Sequence, residues 1–267
     1  MDLGIKGRVA FVSGGSMGMG RSAAELFAQE GCRVVIVALP RDQDSIEETV
    51  AAITAAGGEA VGVGADLTVR AEVERAVGTA ASTFGSPPDI AVANVDGPGT
   101  GNFDDVSDDD FRVAMDRMMM SMVYLCRAVL PHMREQRWGR IVNLNSMGAK
   151  EPPPGLAHVL VNPSRAAVAN LDKTLANEFA QFGITINTIG TGFIGTGRMH
   201  AYVDRMAAEQ GVPREDVLAA VSADAPAGRI GTPEEMAGVV AFLCSEYAGY
   251  VNGEFIHVDG GTHRSAM

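Results

Sequence analysis

Short β-branched runs alternate with long amphipathic stretches along the whole chain, and this alternation limits the fold more than any other feature. Strands are expected at RVAFVS (8–13), RVVIVA (33–38), AVGVGA (60–65), DIAVAN (89–94), RIVNLNS (140–146), ITINTI (184–189) and EFIHVD (254–259). Helices are expected between them at 17–29, 44–56, 70–84, 108–135, 164–182 and 233–245. Strands that alternate with helices form βαβ units, which build a parallel sheet covered on both faces. Right-handed crossovers then make the sheet doubly wound, so the expected class is α/β. No repeat or linker divides the chain, and residues 1–267 are expected to form one domain.

Two segments interrupt the rhythm. One is the Pro/Gly-rich stretch GAKEPPPGLAH (148–158); the other runs from about 192 to 229 and is expected to form a small helical flap. Both follow the carboxyl ends of strands, where such sheets bind ligands, so both are candidate substrate walls.

Charge and cysteine content restrict the partners. The net charge of −12 argues against nucleic acid or an anionic membrane surface, which need clustered Lys and Arg. No apolar run approaches the roughly 18 residues that span a bilayer, and the amino terminus has no secretory h-region. Cys32, Cys126 and Cys244 are far apart in apolar stretches. They are expected to be buried free thiols in a cytoplasmic protein. No Cys/His group has metal-ligand spacing, so no metal is expected.

The first strand runs into SGGSMGMG (13–20) and then a helix. Glycines at 14, 18 and 20 allow a tight turn and bring backbone N–H groups to a pyrophosphate, which the positive helix end also attracts. Strand, glycine turn and helix in this order mark a dinucleotide site built from Ser13, Gly14, Ser16, Met17, Gly18, Met19 and Gly20.

With this Gly-x-x-x-Gly-x-Gly spacing the chain resembles the short-chain dehydrogenase/reductase family over essentially its whole length. The resemblance implies a Rossmann-type fold and a nicotinamide cofactor. It assigns the adenine contact to Asp66 and Leu67, and places ANVD (93–96), with Asn94, on the family's Asn-Asn-Ala-Gly stretch. Ser146 falls on the active-site serine, and TGFIGT (191–196) falls on the segment that holds the nicotinamide amide, here through Ile194 and Thr196. VNGEFIHVDGG (251–261) resembles the family's last strand. The second strand ends in ALPRDQD without an early acid, and Arg41 is available to a 2′-phosphate, so NADP(H) is favoured over NAD(H).

The family's chemistry uses Asn, Ser, Tyr and Lys, the last two four residues apart so that they share a helix face. The tyrosine is the general acid/base, with its pKa lowered by the lysine. In this chain the alignment puts Val161 at the tyrosine, Arg165 at the lysine and Met118 at the asparagine. Only Ser146 remains, since Val and Met carry no protons. Asn162 and Pro163 read as N-cap and first helical residue, which places Arg165 in the first turn, where it needs an anion or ribose hydroxyls. Asp96, His158 and Lys150 are the titratable groups expected near the pocket, and the proton is expected to pass through Asp96, His158 or water.

The resulting expectation is an NAD(P)-dependent oxidoreductase acting on a carbonyl or alcohol of a small, largely apolar substrate. Ser146 would polarise the oxygen, with Arg165, Asp96, His158 and Asn162 around it. A non-redox lyase, dehydratase or isomerase, or a non-catalytic nucleotide-binding protein, stays open. The apolar helix at 108–135, with MDRMMMSM (115–122), points to a homodimer or homotetramer.

Overall fold

The computed structural model describes residues 2–154 and 156–265. Seven parallel strands form one sheet in the order β3-β2-β1-β4-β5-β6-β7. They are β1 (Val9–Ser13), β2 (Arg33–Ala38), β3 (Glu59–Gly64), β4 (Ile90–Ala93), β5 (Gly139–Ser146), β6 (Ile184–Thr191) and β7 (Phe255–Val258). The order reverses between β1 and β4, and the crevice at such a switch point is where doubly wound sheets take ligands.

Period-two alternation distributes the strand residues between two cores. Ala10 and Val12 of β1 with Val34 and Ile36 of β2 meet Phe27 of α1 (Gly18–Gln29), Ile46 of α2 (Gln43–Ala55) and Val240 of α9 (Pro233–Leu243). Val9, Phe11, Val35 and Val37 face the other way, onto Val73 of α3 (Arg70–Phe84), Leu125 and Val129 of α5 (Ser121–Gln136) and Val168 of α6 (Val161–Phe179). Each such valine, leucine, isoleucine or phenylalanine side chain contributes about 1.5–3 kcal/mol on burial. A one-residue slip of any strand would turn its whole apolar set to the wrong face.

Two expected helices are corrected. Residues 108–135 form α4 (Asp108–Met115), a π-helical turn (Asp116–Met120) and α5, rather than one continuous helix. The wide turn carries Met118 inward, where it is 4% exposed. Ser107 and Asp110 close a capping box on α4, so the segment's start is locally encoded.

The other correction concerns α6. Asn162 is not its N-cap: the Asn162 amide donates to the His158 carbonyl at 3.0 Å, and this earlier turn starts the helix at Val161 with Leu160 as N-cap. Pro163 stands at the third helical position, where its missing N–H still costs nothing. Arg165 lies two residues deeper in the helix than expected.

Residues 192–229 carry α7 (Gly197–Gln210) and α8 (Arg214–Ala223), which pack on each other through Met199, Val203, Val217 and Val221. No helix among the described residues is long and apolar enough to cross a membrane.

Candidate active site

The glycine turn is closed by its own backbone. Gly14 and Gly18 adopt φ of +56° and +53°, and a β-carbon at Gly20 would run into the Gly14 carbonyl. Met17 precedes α1 without a side-chain cap, so the first-turn amides are free of one and point outward from the sheet end. Thr196, the N-cap of α7, lies across from this turn with its methyl against Gly18. The Asn94 amide donates to the Gly14 carbonyl at 3.3 Å. A pyrophosphate fits such a cradle, since the uncapped first-turn N–H groups of α1 and the helix dipole face it.

Several residues expected to hold the cofactor serve as supports. Ser13 is buried, and its hydroxyl donates to the Val92 carbonyl at 3.2 Å and accepts from the Asn94 amide at 2.9 Å, tying β1 to β4. Ser16 is buried, and its carbonyl accepts from Thr49 Oγ1 at 3.2 Å. Met19 packs on the core. Asp66 holds the Thr68 amide and hydroxyl through Oδ1 at 2.9 and 2.8 Å, beside buried Leu67. Arg41 is exposed just beyond β2 and forms no ion pair among the described residues.

At the ends of β5 and β6 the candidate catalytic groups converge. Ser146 closes β5 beside Thr191 of β6. Its Oγ accepts from the Gly148 amide at 3.2 Å, which leaves the hydroxyl proton for a ligand oxygen. Asn162 packs its amide against Gly148, and its Oδ1 is buried without a partner.

Arg165 reaches toward Gly97 of the loop after β4, its Nε buried without a hydrogen bond. No carboxylate among the described residues pairs with it. Burial lowers its pKa to about 10, so the guanidinium stays charged at neutral pH. His158 is half-buried in a bridge with Gly101, and burial first, then the Arg165 charge, holds its pKa below the ordinary imidazole value.

Asp96 does not join this group. Its side chain is 57% exposed and pairs with Arg198 of α7, linking the loop after β4 to the flap. Val161 and Met118 are apolar, and Lys150 follows the Ser146 turn. Ile194 is buried in a bridge with Gly231.

One supporting residue escapes a reading of sequence alone. Asn145 is buried; its Oδ1 accepts from the Ser146 amide at 2.8 Å, and its Nδ2 donates to the Arg165 carbonyl at 3.1 Å. Its place beside Ser146 in NLNS was the only signal, since a contact to the backbone carbonyl of Arg165 is not written in residue types.

A family model described as enoyl-(acyl carrier protein) reductase matches residues 14–263. The chain is 36% identical over 254 residues to the short-chain reductase protein NovJ of Streptomyces niveus, covering 95% of this chain and 93% of the relative. It is 32% identical to the cyclohexanol dehydrogenase of Rhodococcus sp. strain TK6, covering 97% of each. The L-sorbose reductase of Gluconobacter frateurii, solved with NADPH and L-sorbose, superposes with a TM-score of 0.93 at 31% identity over 99% of this chain and 100% of that one. The glycine turn, the strand order and these likenesses together place the chain in the short-chain dehydrogenase/reductase family of NAD(P)-dependent oxidoreductases.

Proposed function

We propose that the protein is an NADP(H)-dependent reductase or dehydrogenase acting on a carbonyl or alcohol of a small, largely apolar substrate. The open glycine cradle facing Thr196 carries this reading. NADPH in the solved L-sorbose reductase supports the choice of cofactor, as does Arg41 beyond β2, unpaired among the described residues.

When bound, the nicotinamide supplies or accepts the hydride. The amides at the start of α1 would hold the pyrophosphate, Arg41 the 2′-phosphate, and Asp66 and Leu67 the adenine side. Thr196 and Ile194 would border the nicotinamide. Ser146 donates its free proton to the substrate oxygen and polarises it. Arg165 has a permanent charge and no carboxylate partner among the described residues, which suits ribose hydroxyls or an anionic substrate group. His158, held neutral, can take a proton from an alcohol or return one below its depressed pKa. Asp96 is committed to Arg198.

The half-exposed Met119, Met120, Val123 and Tyr124 beside the π turn support a homodimer or homotetramer, which light scattering at micromolar concentration would detect. The buried free thiols suit a reducing, cytoplasmic setting. Fluorescence titration with NADPH and NADH tests the cofactor: saturable binding is expected, and its absence for both at millimolar concentration would sink the reading.

A further inference from the structure

The last strand and the tail beyond it bring together three metal-binding side chains that the dinucleotide chemistry does not use. His257 of β7, Asp259 and His263 present donor atoms that all lie within 4.8 Å of one another. Asp259 Oδ2 is 3.6 Å from His257 Nδ1 and 2.8 Å from His263 Nδ1. Asp259 is itself anchored, because its carboxylate accepts from the Gly261 amide at 2.9 Å and the His263 amide at 3.1 Å.

His257 makes this more than a turn. Its side chain is 8% exposed, yet neither ring nitrogen has a hydrogen-bond partner among the described residues. A buried imidazole ordinarily satisfies at least one nitrogen. Hydrogen bonds among Asp259, the turn amides and His263 account for the polar atoms of those two residues; stacking on His263 at 3.9 Å holds the His257 ring but leaves both its nitrogens unexplained. A cation between the three donors would satisfy its Nδ1 and neutralise the Asp259 charge.

We propose that His257, Asp259 and His263 bind a divalent first-row transition ion of the zinc and cobalt class. Two imidazoles and one carboxylate suit such borderline ions, whereas Mg²⁺ and Ca²⁺ prefer oxygen donors throughout. Three protein ligands leave at least one position for water. The sequence spacing hides the group, since one donor is a carboxylate and the second histidine lies beyond a Gly-Gly turn.

The place in the fold assigns the ion a role. Val258 pairs with Thr191, which pairs with Ser146, so the group sits about two strand spacings, roughly 10 Å, from the serine. That is too far to touch a carbonyl held by Ser146. Just past His263, the amides of Arg264 and Ser265 donate to the Glu151 carboxylate at 3.0 and 3.4 Å. Glu151 lies on the loop between Ser146 and α6. An ion holding His263 to β7 therefore fixes the tail, and through Glu151 the wall of the substrate site.

The test uses the full-length chain without a histidine tag, stripped with EDTA and titrated with Co²⁺. One equivalent should bind and give visible d–d absorption, Zn²⁺ should displace it, and Zn²⁺ should raise the melting temperature while Mg²⁺ does not. His263→Ala removes a half-exposed ligand on the tail, so its fold in EDTA should match wild type. Its Co²⁺ affinity should fall by about 100-fold or more, above the 10–100-fold typical of losing a mere supporting contact. His257→Asn should weaken binding similarly. Absence of Co²⁺ uptake by wild type, or equal uptake by wild type and His263→Ala, would overturn the proposal. NADPH binding, measured in the same samples, reports separately on the dinucleotide site.

Discussion

Asn145 joins the two halves of the candidate site: its Nδ2 donates to the backbone carbonyl of Arg165 at 3.1 Å while its Oδ1 accepts from the Ser146 amide at 2.8 Å. The end of β5 is thereby locked to the second turn of α6. Asn145→Ala should destabilise the protein by about 1–3 kcal/mol, the scale for orphaning buried hydrogen-bond partners. It should also lower kcat with little change in the Kd for NADPH, because the cradle at 13–20 is built from other strands. Asn145→Ser keeps a short donor and acceptor and should recover part of the loss. Equal damage to kcat and to NADPH binding would show a general loosening instead.

Arg165 is a buried cation without a counter-charge among the described residues, and its pKa is lowered to about 10 by desolvation. A shift of that size corresponds to on the order of 3 kcal/mol of unfavourable burial at neutral pH. Arg165→Met, which keeps the volume and removes the charge, should therefore raise the melting temperature of the ligand-free protein. The same substitution should weaken cofactor or substrate binding and leave the pH optimum in place, since arginine does not titrate in the working range. Arg165→Lys should not restore ordinary family behaviour, because Val161 gives it no phenol to activate. A lower melting temperature in Arg165→Met would mean that an internal partner has been overlooked.

The strand sequence made the architecture legible in a way that the site was not. All seven runs, from RVAFVS to EFIHVD, became strands because β-branched runs bounded by turn residues leave few alternatives. The helix at 108–135 misled, since a π turn keeps the apolar period roughly intact while shifting its face, and propensity does not register one extra residue per turn. Asn162–Pro163 misled for a related reason: a valid N-cap signature lost to the His158 carbonyl, whose position depends on the bridge to Gly101. Ser13 and Asp96 show a third limit. Their chemistry was visible in sequence, but the partners that occupy them, Asn94 and Arg198, come from other segments.

Selectivity between the two dinucleotides rests on Arg41, exposed beyond β2 and unpaired among the described residues. Arg41→Ala should weaken NADPH by roughly 1–3 kcal/mol, the scale for a charge-assisted contact, and leave NADH nearly unchanged. Fluorescence titration with both reads this directly. Equal losses would show that Arg41 only holds the loop.

Asp172 of α6 gives a pH signature that belongs to the core. Burial raises its pKa to about 7, although the Asn143 amide and the Thr188 hydroxyl, at 2.8 and 2.7 Å, oppose the shift. A carboxyl with a raised folded pKa contributes stability that is complete below its unfolded value near 4 and is lost as pH rises through about 7. Urea unfolding should therefore show lower stability at pH 8 than at pH 5, by a few kcal/mol on the order-of-magnitude scale of this shift. Asp172→Asn should remove most of that difference. A difference that persists in the variant would place its origin elsewhere.

The proton carrier is the remaining question for the chemistry, and the structure divides the candidates. Asp96 is solvent-exposed and paired with Arg198, whereas His158 lies half-buried beside the Arg165 charge. Burial and that charge both favour the neutral ring, so any limb due to His158 must lie below the ordinary imidazole range near pH 6.5. Carbonyl reduction that draws its proton from His158 should quicken as pH falls through this limb. Alcohol oxidation that gives a proton to His158 should slow over the same interval. Stability moves in a fixed direction meanwhile: a histidine with a depressed folded pKa contributes stability present above about 6.5 and lost as pH falls through the folded value. Unfolding must accordingly be measured beside rate, so that an acid limb is not mistaken for denaturation. His158→Gln should abolish the kinetic limb and lower the rate by about 10²–10⁴-fold if the ring carries the proton. Asp96→Asn should leave the limb where it is and alter mainly the flap contact through Arg198. A limb unchanged in His158→Gln and lost in Asp96→Asn would reverse the assignment, and a profile unchanged in both would leave solvent water to carry the proton to a substrate held by Ser146.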